Sequence, residues 1–187
     1  MSFLDDMKMF GMVVMAIGAI TAVMTLISHT DDILLMVICL IPAVALLLVG
    51  YLAYSGEIKR KYDAICAYLI YYGLASAIYF AIVFGMALFD GNFNWEPLAF
   101  TIIGVFAFFV GIDLKSGKRL NVFVWMLLFV IFLLFIVRDV LAIFNINFGG
   151  DLLTALGLLA VSVLSMIMSV YLLYFTISDD VRKRFTM

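Results

Sequence analysis

One histidine, two cysteines and two prolines are all that this 187-residue chain contains, and only 13% of it is charged. Each shortage excludes something. A single His29 cannot supply the axial ligands of a membrane haem. With Asp31 and Asp32 it shares one short turn, where acids beside a helix N-terminus are ordinary and a metal site is not indicated. Cys39 and Cys66 fall at different depths of different apolar runs, beyond the roughly 4–7 Å Cα separation of a disulfide. Both read as small buried hydrophobes. Eleven basic and 13 acidic residues leave a net charge of −2, with no basic stripe, which excludes a nucleic-acid partner. Paired carboxylates, a histidine cluster and a glycine-rich phosphate loop are also missing from the sequence. The chain is therefore expected to be no enzyme and to hold no cofactor and no metal.

What is present is hydrophobic: 67% of the residues, against roughly 45–50% in ordinary globular domains. A soluble core of this size leaves too much surface exposed to accommodate that content, so lipid is the implied solvent. Six apolar runs, at about 8–28, 33–54, 64–89, 97–112, 121–144 and 152–177, approach the ~20 residues that a helix needs to cross a bilayer. The fourth is short and is expected to borrow Asp113 and Leu114 as its ends snorkel; Pro97 sits in its first turn, where the missing N–H costs nothing. The runs are continuous rather than two-periodic, which excludes barrel strands. The expected fold is an all-α integral membrane protein, a single compact bundle of six transmembrane helices over residues 1–187.

Charge orients the bundle. Lys8, Lys59, Arg60, Lys61, Lys115, Lys118, Arg119, Arg182, Lys183 and Arg184 all fall on one side. The opposite turns hold Asp31, Asp32, Asp90, Glu96, Asp139 and Asp151, with Arg138 as their one base. Lysine and arginine bias sets topology, so the expectation is a cell-membrane protein with both termini cytoplasmic. Asp5 and Asp6 stand where a secretory signal would be basic, so the first run is expected to remain as a helix. The basic clusters at 56–61, 116–119 and 180–184 each close a unit of two spans, which suits three helical hairpins. The positive-inside bias alone gives the same spacing, and little residue identity joins the units.

Lipid provides no hydrophobic drive between helices, so small residues mark where they meet. Gly11, Gly18, Ala22 and Thr25 share a face of the first run, and Gly104, Ala107 and Gly111 share one of the fourth. In the sixth, Ala155, Ser162, Ser169 and Thr176 recur at heptad spacing with Ser165 beside them. These faces are expected to pack within the bundle, or against a protein partner or a second copy. Tyr68, Tyr72, Ser76 and Tyr79 form a polar stripe on the third run. Arg138 is expected about 25 Å along the fifth helix, near its outer edge, where it either snorkels to headgroups or holds an anionic group. Successive helical residues diverge by about 100°, so Arg138 and Asp139 are not expected to form a helical pair, although a snorkelling Arg138 is shared with Asp90, Asp151 or Asp139. No acid is expected in the middle of a run, which disfavours intramembrane aspartyl chemistry and a proton relay. The turn from Asn145 to Asp151 is freed by Gly149 and Gly150.

Beyond membrane lipid as its surroundings, two function classes fit. One is a structural or complex-forming subunit joined through its small-residue faces. The other is a small-solute binding or permeation protein, with Arg138, Tyr79, Ser162, Ser165 and Ser169 as contacts. An exposed groove of small residues favours the first, and a cavity with polar lining favours the second.

The topology has a direct test. Cysteines placed at Ser116 and Asn92 should react with impermeant thiol reagents from opposite sides of sealed vesicles. Reaction from one side only ends the six-span arrangement.

Overall fold

Glycine and alanine decide where these helices touch. In the computed structural model, which describes residues 3–149 and 151–186, six long apolar helices form an all-α bundle. They are α1 (Met7–Ser28), α2 (Ile33–Tyr54), α3 (Lys61–Phe89), α4 (Trp95–Lys115), α5 (Val122–Phe144) and α6 (Leu152–Ile177). Met1, Ser2, Gly150 and Met187 lie outside the described residues, and so does the expectation about Gly150 in the outer turn. α3 starts earlier than its apolar run because Lys61 and Tyr62 extend it at the end of the bundle that carries the basic clusters, termed the inner end, the opposite one being the outer end. α4 is likewise longer than its run. Asn94 caps it by accepting from the Glu96 N–H, and the last turn continues through Asp113 to Lys115. Asp6, Asp32, Asn121 and Asp151 cap α1, α2, α5 and α6 in the same way, whereas Arg60 before α3 makes no side-chain cap.

The closest pairs are α1 with α2, α3 with α4, and α5 with α6, so the chain is built as three helical hairpins. α1 also packs along α6. A Cβ at Gly11 would stand 2.6 Å from the Tyr54 nitrogen, and one at Gly18 would stand 2.8 Å from the Ala43 oxygen. A Cβ at Gly104 would meet the Ala77 nitrogen at 2.8 Å, and one at Gly111 would meet Ile70. The small-residue faces of α1 and α4 are thus spent on α2 and α3.

Packing is uneven along the membrane normal. The dense core lies in the inner half, where Phe10, Val49, Ile65, Leu114, Tyr171, Leu172 and Phe175 are almost completely buried. The Phe10 ring stands 5.2 Å from that of Phe175 and 5.7 Å from that of Tyr171. Polar ties reinforce the same end. Lys61 pairs with Asp5 at 2.7 Å, the Tyr174 hydroxyl donates to Asp5, and Trp125 Nε1 donates to the Thr176 carbonyl. The Tyr62 hydroxyl donates to the Leu114 carbonyl. A short parallel pairing of β1 (Leu120–Asn121) with β2 (Phe185–Thr186) draws the C-terminal tail onto the inner loop. The turn α7 (Asp179–Arg182) precedes that pairing.

The glycine contacts make a paired prediction. Gly104→Ala should lower thermal stability in detergent by about 1–3 kcal/mol, because its Cβ would push against backbone rather than a yielding side chain. Gly85 has nothing within 4 Å, so Gly85→Ala should be neutral or stabilise by up to about 1 kcal/mol through helix propensity alone. Equal effects of the two would refute the close-approach account.

Candidate functional site

From Val122 to Leu141, α5 carries no glycine, alanine, serine or threonine. Its Phe and Leu side chains cannot approach the glycine-lined hairpin of α3 and α4 as closely as those two approach each other. The result is a cleft lined by Tyr68, Tyr72, Gly73 and Ser76 of α3, Phe100, Gly104 and Ala107 of α4, and Leu128, Phe132, Phe135 and Arg138 of α5. Its volume is about 80 Å³, and it is not fully enclosed. Six aromatic rings face it: Tyr68, Tyr72, Phe80, Phe100, Phe132 and Phe135. The Tyr68 and Tyr72 rings stack at 5.1 Å within a single π-helical turn, Tyr68–Tyr72, in the wall of the cleft. Such wide turns recur at functional positions in helices.

That turn also re-phases α3. The lining continues from Tyr68, Tyr72 and Ser76 to Phe80, not to Tyr79. Tyr79 is half-buried outside the cleft and interacts with Cys39 of α2, so it does not join Arg138. The Ser76 hydroxyl donates to the Tyr72 carbonyl, consistent with back-bonding inside a helix.

Arg138 does not take the outward, snorkelling placement, one of the two that the sequence offers it. Its Cα stands six residues from the outer end of α5, about 9 Å. The side chain does not reach outward. The guanidinium lies over the Phe135 ring, 5.1 Å from its centre and one turn deeper. Its Nη2 approaches the Ser165 hydroxyl at 3.5 Å, and Ser165 stands midway along α6. Helical side chains lean toward the N-terminus of their helix, which in α5 is the inner end. The positive charge is therefore level with the middle of α6 rather than at the outer ends of the helices.

Arg138 and Asp139 do pair, which corrects the expectation drawn from their divergence on the helix. Arg138 Nε and Nη2 donate to Asp139 Oδ1 at 3.0 and 2.7 Å. The arginine stem is long enough to fold back across the 100° between neighbours. Asp139 is 3% exposed and lies within the span, not in the outer turn. Five apolar or small residues, Val140 to Phe144, continue the run beyond it, and this was the available signal of its depth. About half of the Arg138 side chain (52%) remains uncovered by protein.

Of the other sequence candidates, Ser165 meets Arg138, and Ser169 is fully buried one turn further in. Ser162 is half-buried and lines a separate outer vestibule with Asn145, Asn147, Asp151 and Thr154. The structure thus brings Arg138, Asp139 and Ser165 together and leaves Tyr79 and Ser162 apart. His29 Nδ1 meets the Thr25 carbonyl at 3.3 Å, and Asp32 caps α2. No group of metal-ligating side chains is formed among the described residues. No protein-family model matches the chain, and no curated protein or solved structure is similar to it.

The Arg138–Asp139 pair predicts non-additive energetics. Asp139→Leu alone strands a cation in a low-dielectric region and should cost about 3 kcal/mol of stability. Arg138→Met combined with Asp139→Leu should recover most of that loss, since an apolar pair needs no compensation. Unfolding in detergent measures both, and additive losses would show that the two side chains act separately.

Proposed function

We propose that the protein binds a lipophilic solute that enters the α3–α4–α5 cleft sideways from the bilayer and is fixed there by the Arg138 guanidinium. One observation carries this: an arginine side chain half uncovered by protein, level with the middle of α6, lines a cleft together with six aromatic rings. An intramembrane charge is costly and marks a functional position unless it is fully spent on structure. Arg138 is not fully spent. Arginine has five N–H donors. Asp139 takes two, and Ser165 faces a third. Two remain, on Nη1.

The neighbouring carboxylate narrows the ligand. Asp139 already neutralises Arg138, so an incoming anion meets a net charge of zero. At about 4 Å and an effective dielectric near 20, its repulsion from Asp139 is about 4 kcal/mol and offsets its attraction to Arg138. A neutral acceptor, such as a carbonyl or ester oxygen on an apolar or aromatic body, accepts the two free N–H groups without that repulsion. Lipophilic molecules of this type partition into the bilayer and reach a cleft between helices without crossing water.

The competing reading, a structural subunit that joins partners through small-residue faces, has less support. Gly11, Gly18, Gly50, Gly73, Gly104 and Gly111 all press on neighbouring helices of this same chain. No catalytic step is assigned to the site. In this reading the protein lies in the cell membrane with its basic side, and both termini, in the cytoplasm.

Native mass spectrometry of the protein extracted from membranes should reveal a retained lipophile. Arg138→Lys keeps the charge but loses the planar fork. Retention should fall about ten- to a hundredfold, the equivalent of one hydrogen bond to a charged donor, with the melting temperature nearly unchanged. Ile131→Phe, which fills the cleft from α5, should also expel the ligand. Undiminished retention in Arg138→Lys, or extraction with nothing but bulk phospholipid, would overturn the reading.

A further inference from the structure

Two buried polar atoms near the site have no protein partner. Asp139 Oδ1 takes both bonds from Arg138, and Oδ2 is left unmatched. The Ser169 hydroxyl, in a residue with no exposed surface, is unmatched as well. A buried polar group without a partner costs about 1–3 kcal/mol, and more when charged. Inside a bilayer no surrounding solvent relieves that cost. Neither atom has surface that water reaches in the static fold, so internal water satisfies them only as the seam opens.

The route for such water is visible on the same pair of helices. An outer vestibule of about 500 Å³ lies between the ends of α5 and α6, lined by Ala142, Asn145, Asn147, Asp151, Thr154 and Ser162. Ala142 stands one turn outward from Arg138 and Asp139, and Ser162 stands one turn outward from Ser165. The separation between vestibule and charge pair is thus a single turn, about 5 Å. Ser162, Ser165 and Ser169 give successive turns of α6 a hydroxyl. The Asp151 carboxyl is held below its usual range by the Thr154 hydroxyl and the Leu153 N–H, so the vestibule keeps a hydrated charge at neutral pH. Inward of Ser169 the core closes: Tyr171, Leu172 and Phe175 have no exposed surface, and Trp125 of α5 donates to the Thr176 carbonyl of α6.

We propose that the seam between α5 and α6 opens as a half-channel that admits water from the outer vestibule and ends at Asp139 and Ser169. It admits water and hydrophilic solutes of comparable width from the outer face and is closed toward the inner face. The inference stands on the two unmatched atoms and the vestibule, and does not depend on the ligand assigned to the lateral cleft.

Thiosulfonates react with the thiolate, which forms only where water reaches. In sealed vesicles, a trimethylammonium thiosulfonate added on the Asn92 side should modify Ser162→Cys fastest and Ser165→Cys next. Ser165→Cys should react about tenfold faster than Val170→Cys, which lies deeper on a lipid-facing side of α6. The unaltered chain, with its own Cys39 and Cys66, sets the background. Ser169→Cys serves as a second deep position should Ser165→Cys fail to fold. Reaction at the deep serine position no faster than at Val170→Cys would overturn the half-channel. Equal reaction from both sides would overturn its closed inner end.

Discussion

Close approach of helices in lipid requires small residues, and their uneven distribution along this chain shapes everything else. α1, α2, α3 and α4 each carry glycines at which a Cβ would come within about 3 Å of the neighbouring backbone or side chain. α5 carries no glycine, and no other small residue before Ala142. Two hairpins therefore close tightly, and α5 stands off from the α3–α4 pair behind its phenylalanines. α6 compensates on the other side with serines, threonine and alanine, so α5 packs mainly there. The lateral cleft is thus a consequence of composition: it opens where a helix without small residues faces a hairpin built from them.

The second determinant is the difference between the two ends. At the inner end the aromatic cluster of Phe10, Tyr171 and Phe175 meets the Lys61–Asp5–Tyr174 ties and the pairing of the C-terminal tail. At the outer end two open spaces lie between the helices: the one beside Ser162 has asparagine, aspartate and threonine among apolar side chains, and the one beside His29 is mostly apolar. A bundle sealed at one end and loose at the other gives access to mid-membrane from one side only. Stability and access are divided between the two halves, so the site need not weaken the core that holds it.

The sequence made the bundle legible because length, continuity and charge bias are properties of whole segments. Helix ends were less clear: α4 gains its extra turns from Asn94 and from Asp113 to Lys115, which hydropathy counts against the span. The site was half legible. Arg138 and Ser165 stood out as polar residues among apolar ones, and the structure joins them at 3.5 Å. Asp139 did not, since an acid near an outer turn reads as part of the turn until the five residues after it are weighed. Tyr79 was misplaced for a different reason. A π-helical turn at Tyr68–Tyr72 rotates everything after it, and periodicity at a fixed 3.6 residues per turn does not anticipate that shift. Cleft width was out of reach of any single segment, because it depends on two surfaces that meet only in the fold.

The placement of both charges on one helix has a mechanical consequence. A salt bridge between helices would lock their separation, since parting them would leave two uncompensated ions in a low-dielectric medium. Here Arg138 and Asp139 travel together on α5, bonded to each other and reaching only a neutral serine on α6. Among the described residues no ion pair joins α5 to α3 or α4. What opposes widening of the cleft is ring contact, such as Tyr68 against Phe132 at 6.2 Å, and each such pair is worth only about 0.5–1.5 kcal/mol beyond the area it buries. A solute with an apolar body replaces those contacts with its own. The α5–α6 hairpin can therefore yield to a ligand from the bilayer without breaking an ionic bond, while the Trp125–Thr176 hydrogen bond and the inner core hold its other end in place.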